Sequence, residues 1–323
     1  MRRKEFFLAS LAVAGLGWRP SLAARARGDI VSTPGPLPRR PLGQTGENLS
    51  VIGFGGNIIK EEPPEEAARM VREAYEQGIN YFDVAPLYGN AEELMGPPLE
   101  DFRRGIFLSC KTNQRLAEGS QMELERSLKR LRTDYFDLYQ LHYITSRDDM
   151  NKIFGPGGAI ETLDRAKQDG KVRFLGFSAH SEEAALYAMD HYDFDTVMFP
   201  INYICAFKGD FGPRIVQEAH RRGKGILALK PGARNLRERG EQREEEYRKC
   251  WYRPFKEMDE VNLSYRYTLS QPVTSALAPQ VESLHIKAVE AGKQFRPLGE
   301  DELAMLRHEA LGVERELFHH PAW

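Results

Sequence analysis

Eight short apolar runs alternate with amphipathic stretches, and this rhythm leaves the chain very few folds. The runs are "SVIGFGG" (50–56), "INYFDVA" (79–85), "GIFLSCKT" (105–112), "YFDLYQLH" (135–142), "VRFLGFSA" (172–179), "TVMFPINY" (196–203), "GILALKP" (225–231) and "VTSALA" (273–278). None has the clean apolar–polar alternation of a strand with one wet face. Each is therefore expected to be covered on both faces, as in a parallel sheet. Between them lie stretches such as "PEEAARMVREAYEQG" (64–78) and "PRIVQEAHRRG" (213–223), with apolar residues at helical spacing and a Gly that stops the helix. Eight such units in 323 residues predict an α/β fold, a single-domain (β/α)8 TIM barrel. An open doubly wound sheet is the weaker alternative, because no phosphate-binding GxGxxG follows the first run.

The barrel is assigned to residues 42–323. It closes with a helical pattern at "EDELAMLRHEALGVERELF" (300–318) and a tail in which His319 and His320 are expected to be solvated. Ahead of it, "MRRKEFF" is basic, "LASLAVAGLG" is apolar but too short to span a bilayer, and "SLAARA" offers small-residue cleavage sites. Residues 1–26 thus read as a twin-arginine-like signal peptide, and residues 27–41, rich in Pro and Gly, as a linker. This layout implies an exported, periplasmic or otherwise extracytoplasmic protein that meets the export machinery, with no integral membrane domain in the mature chain. A formal charge of −2, with basic and acidic residues interspersed, argues against a nucleic-acid partner. The mixed run at 234–249 reads as a solvated face. Cys110, Cys205 and Cys250 have neither zinc spacing nor the number for a disulfide framework, and no metal site is expected.

Barrel chemistry is built where strands end at the carboxyl rim. The runs carry there Gly55–Gly56–Asn57, Asp83, Lys111, His142, Ser178–Ala179–His180, Asn202 and Lys230, with Tyr88 on the loop after the second run. Neighbouring parallel strands lie about 4.7–4.9 Å apart, so Asp83, Lys111 and His142 can converge on one pocket. A buried Lys111 needs a partner, and Asp83 is the natural one. A cation beside Tyr88 favours phenolate and is expected to lower its pKa from about 10 toward working pH. Tyr88 would then protonate a developing alkoxide while a neutral His142 orients the same oxygen. The set suits hydride addition to a small-molecule carbonyl, or the reverse oxidation of an alcohol. Cys110 alternates with Lys111 and is read as core.

"FDVAPLYGNAEELMG" (82–96), "LSCKT" (108–112) and "YFDLYQLH" together resemble the aldo-keto reductase family, over residues 42–292. The resemblance implies a catalytic tetrad of Asp83, Tyr88, Lys111 and His142, with Tyr88 as general acid. It also implies NADP(H) as cofactor, a cleft lined by Ser178, Asn202 and Lys230, and a Gly55–Gly56 turn that lets backbone approach the nucleotide. Departures from the family pattern concentrate on the cofactor side. Ala179–His180 stands where many members have Asn after the Ser, Met198 replaces a Gln that holds the carboxamide, and Leu229 replaces an aromatic that stacks on the nicotinamide. "LAPQVES" (277–283) puts Val281 near an expected Arg and adds Glu282, which would repel a 2′-phosphate. NAD(H) is therefore also possible. So is a barrel that binds a nucleotide or metabolite without turnover, or one that recycles a tightly bound cofactor. Trp251, Tyr252, Arg253 and Phe255, in an insertion at 234–256, are placed where a loop could cover the pocket.

Overall fold

A computed structural model describes residues 37–320. The eight runs become eight parallel strands: β1 (Ile52–Gly55), β2 (Tyr81–Asp83), β3 (Phe107–Thr112), β4 (Phe136–Ile144), β5 (Val172–Ala179), β6 (Thr196–Pro200), β7 (Gly225–Leu229) and β8 (Ser275–Leu277). Each pairs with its neighbour in sequence, and β8 pairs with both β7 and β1, so the sheet closes. A closed sheet has no free edge and buries both faces, which is why the strands lack polar alternation. Helices follow the strands on the outside. Pro64 opens the first at a position where its missing N–H costs nothing. The hydroxyls of Ser146 and Ser181 accept from the amides of Asp149 and Ala184 at two later helix starts.

Period-two alternation sorts each strand between barrel interior and helix layer. Phe82, Leu108 and Cys110 face outward into the large cluster shared with the helices, so Cys110 is core, as its parity implied. Tyr81, Phe107, Leu138 and Leu227 face inward and fill the lower barrel, with Met198 and Leu277 of the same cluster reaching the cavity above. Gly53 makes room for one of them, since a Cβ there would lie 2.4 Å from Tyr81 Cδ1. The same parity carried two residues further in β2 and β4, and four in β3, puts Asp83, Gln140 and Lys111 at the upper end of the interior. The barrel is thus apolar below and ionisable above.

The amino-terminal boundary differs from its expected place. The signal-peptide reading lies outside the described residues. The last residues of the expected linker, however, belong to the folded body. Leu37 is buried, and Arg39–Pro41 pairs antiparallel with Asn48–Ser50. This hairpin drives Leu42 and Leu49 into the interior cluster as a plug. Burying side chains of that kind contributes about 1.5–3 kcal/mol each, which explains why a Pro-rich stretch is nonetheless held.

Two excursions reach the carboxyl rim. After β7, Ala233–Leu236 pairs antiparallel with Tyr252–Pro254, forming a ribbon from the 234–256 insertion. At the carboxyl end the helix is shorter than its pattern, Glu300–Gly312. The chain beyond it returns to the rim, where the His320 amide donates to Gly209 O at 2.7 Å. Phe318, expected in a helix, packs instead on Phe211 and His180.

Candidate active site

At the upper end of the interior, Lys111 Nζ donates to Asp83 Oδ2 at 2.5 Å and to Val84 O at 3.2 Å. Both side chains are dry, 0% and 1% exposed. A buried pair persists only if its remaining lone pairs are satisfied. Here Asp83 Oδ1 accepts from Tyr81 Oη at 3.2 Å and, more weakly, from Gln140 Nε2 at 3.5 Å, whose stronger bond is to Ser109 Oγ at 2.8 Å. Burial works against the Lys111 charge, but Asp83 and then Tyr88 outweigh it, and the pKa ends above the ordinary lysine value. Lys111 is a permanent cation. Tyr81 and Gln140 were missed in the sequence, although their i, i−2 positions relative to Asp83 and His142 put them on the same face.

Tyr88 lies over this cation, its ring centroid 5.4 Å from Lys111 Nζ, and meets the His142 ring edge-on at 5.8 Å. The expected lowering of its pKa is not what results. Burial is the larger effect and raises the phenol above 10, with Lys111 offsetting only part. Tyr88 therefore holds its proton throughout the neutral range, the form a proton donor needs.

His142 sits at a register shift in β4 between Leu141 and Ile144, with Tyr143 at φ 55°. Such a bulge re-aims a side chain at a barrel rim. The bulge is pinned by Ser178, whose Oγ accepts from the Tyr143 amide at 2.8 Å. Burial, then the charges of Lys111, Arg115 and Lys230, hold the imidazole well below its ordinary value of 6.5, so it is neutral. Its Nδ1 lies 2.7 Å from Asn113 Oδ1, which places the hydrogen on Nδ1. Asn113 Nδ2 has no partner, and turning the amide over would reverse the tautomer. Asn113 thus selects which ring nitrogen carries the hydrogen. Asn113→Asp should set a carboxylate against Nδ1 and raise the His142 pKa toward neutrality, read by NMR of the ring across pH. An imidazole that titrates as in the wild type would refute this contact.

The tetrad opens into a cavity of about 190 Å3. Gly55, Ser178 and Lys230 line it, and so do Met198, Leu229 and Trp251. Gly56 and Asn202 do not. A Cβ on Gly56 would meet Val84 and Met95 at 3.0 and 3.1 Å, so this residue faces the helix layer. The Asn202 side chain is buried as a cap: Oδ1 accepts from the Cys205 amide at 2.9 Å and Nδ2 donates to Lys230 O at 3.2 Å. Its influence on the cavity runs through the Lys230 backbone. Glu282 Oε1 accepts from Arg69 at 2.8 Å, which cancels much of the repulsion its charge implied.

A closed parallel barrel thus gathers Asp83, Lys111, Tyr88 and His142 at its carboxyl rim. The aldo/keto reductase family model matches residues 51–306. The chain belongs to the aldo/keto reductase family. It is 34% identical over 155 residues to the uncharacterized oxidoreductase YqkF of Bacillus subtilis, covering 44% of this chain and 48% of that protein. It is 31% identical over 179 residues to L-galactose dehydrogenase of Arabidopsis thaliana, covering 51% and 55%. The chain thus spans about half the length of these curated relatives. An aldo-keto reductase from Bacillus halodurans in its holo form superposes with a TM-score of 0.67 at 22% identity, covering 88% of this chain and 99% of that one, a likeness of fold.

Proposed function

We propose that this protein transfers hydride between a nicotinamide nucleotide and a carbonyl or alcohol. The observation that carries the reading is Tyr88 held between the Lys111–Asp83 pair and the His142 ring. The cavity also suits a flat, weakly polar ring. Where Gly55 lacks a side chain, nothing lies within 4 Å of the position a Cβ would take, and Met198 and Leu229 add apolar wall. A nicotinamide nucleotide bound there would supply the hydride. Tyr88 Oη donates the proton to the developing alkoxide, and Lys111 stabilises the phenolate left behind. Asp83 keeps Lys111 charged and in place. With the Asn113 amide turned so that its Nδ2 donates to His142 Nδ1, the neutral imidazole carries its hydrogen on Nε2 and donates it to the same oxygen, aimed by the bulge at Tyr143. In the oxidative direction the Tyr88 phenolate, beside Lys111, takes the proton from the alcohol by the same path.

The nucleotide preference follows from the start of the helix Glu282–Lys293. Val281 is apolar there, and Arg69, the cation at hand, already engages Glu66, Glu73 and Glu282. NADH is expected to bind at least as tightly as NADPH. Parallel fluorescence titrations of the protein with both nucleotides test the whole reading. Binding near micromolar or tighter supports it, whereas no binding of either by folded, cofactor-free protein defeats it. The basic and apolar segment at 1–26 supports export, and among the described residues no helix is long and apolar enough to cross a membrane. Cell fractionation of the full chain should recover it outside the cytoplasm. Removing residues 1–26 should keep it inside, and equal distribution of both forms would contradict export.

A further inference from the structure

Lys230 takes no part in the mechanism above, yet its amine lines the same cavity as Tyr88 and His142. Its backbone is in the left-handed region, φ 57°, which a non-glycine residue adopts only where its surroundings hold it there. The holding group is Asn202, through the carbonyl of Lys230. From this position Nζ donates to His180 Nε2 at 2.9 Å and lies 5.7 and 5.5 Å from the ring centroids of Trp251 and Phe318. His180 is in turn stacked on Phe318 at 5.1 Å and edge-on to Tyr143 at 4.7 Å.

This amine lacks a counter-charge. No carboxylate among the described residues pairs with it. The thiols of Cys205 and Cys250 are pushed by burial to about 11 and stay neutral. His180 is pushed down to about 2, by burial first and then by Lys230 and His142, so it only accepts. Burial lowers Lys230 to about 8, which leaves it mainly charged at pH 7. An ammonium has three donors, of which His180 takes one. Lys111 is balanced by Asp83, and the cavity therefore carries the unbalanced charge of Lys230.

We propose that Lys230, oriented by His180 and flanked by Trp251 and Phe318, is a subsite for the carboxylate of an anionic carbonyl substrate. The proposal rests on the hydride-transfer reading and narrows it to oxo-acids or aldehydes that bear a carboxylate. The amine belongs to the reacting end of the cavity, since its charge acts on His142 and its partner His180 packs on the residue that follows His142. Aromatic faces on its flanks suit a small planar oxyanion more than a hydrated diphosphate. A carbonyl oxygen at Tyr88 and a carboxylate at Lys230 would fix both ends of a small substrate.

The test compares para-formylbenzoate with its methyl ester, and the ratio of their kcat/KM values is the readout. The wild type should favour the carboxylate. Lys230→Met should lower the ratio by about tenfold or more, and Lys230→Arg, which keeps the charge, should largely restore it. A ratio unmoved by Lys230→Met overturns the proposal. If nucleotide affinity falls in that same variant, the cation serves the nucleotide's phosphates instead. Should Lys230→Met fail to fold, His180→Phe removes the acceptor that orients the amine and should shift the ratio the same way. If the wild type reduces neither aldehyde with either nucleotide, the hydride-transfer reading fails separately. Benzoate binding, followed by tryptophan fluorescence, then decides the subsite: about tenfold weaker binding in Lys230→Met supports it, and equal affinity overturns it.

Discussion

Tyr88→Phe is expected to lower kcat by about 10²–10⁴-fold while folding and nucleotide affinity stay nearly unchanged. That range is what a positioned general acid contributes. The change removes one oxygen and little else. Lys111 keeps Asp83 and Val84 as partners, and the ring keeps its edge contact with His142. The loss should therefore appear in the proton-transfer step and not in stability. Because burial holds the phenol above its ordinary value, the wild-type reduction rate should not fall as an early tyrosine titration would require between pH 7 and the ordinary phenol value near 10. Steady-state rates across pH with either nucleotide check both statements. Turnover that survives in Tyr88→Phe would remove Tyr88 from the chemistry and the hydride-transfer reading with it.

Asp83→Asn is expected to be the most destabilising single change at the site, by about 3–5 kcal/mol, because it leaves the Lys111 charge buried without its counter-ion. Tyr81 and Gln140 would also lose a charged acceptor. Adding Lys111→Met to the same chain removes the uncompensated charge, so the double variant should recover much of the loss. Urea unfolding of the wild type, the single variant and the double variant measures this directly. A single-variant loss under about 1 kcal/mol would mean that the pair behaves like a solvated surface ion pair. That outcome would contradict the dryness of the site. Recovery in the double variant without recovery of turnover would separate the structural role of the pair from its catalytic one.

The cofactor side shows how departures from a family pattern can be misplaced in meaning. Glu282 looks hostile to a phosphate until Arg69 is seen to hold it, and Arg69 is a cation that three carboxylates have already engaged. Asn202 looks like a cleft residue, yet its amide is committed to a helix cap and to the Lys230 carbonyl. Lys230 does reach the cavity, but among His180, Trp251 and Phe318 and without an acid. The three groups around it come from the residue after β5, from the insertion after β7 and from the carboxyl-terminal tail.

The barrel was legible in the chain, because strand parity, helical spacing and the number of repeats are local properties that add along it. The convergence of Asp83, Lys111 and His142 was legible in the same way: they stand near the ends of consecutive strands, and consecutive parallel strands must be neighbours. Tyr81 and Gln140 were within reach of the same parity argument. Tertiary structure alone decided whatever depends on a balance or on distant segments. The sign of the Tyr88 shift is set by burial against the Lys111 charge, two opposed effects whose sizes exist only in the closed pocket. The bulge that aims His142 needs the Ser178 hydroxyl from the next strand. Leu42 becomes a barrel plug, and Phe318 a wall beside Lys230, only once the chain has closed on itself. Such contacts join residues far apart in sequence, and no local pattern encodes them.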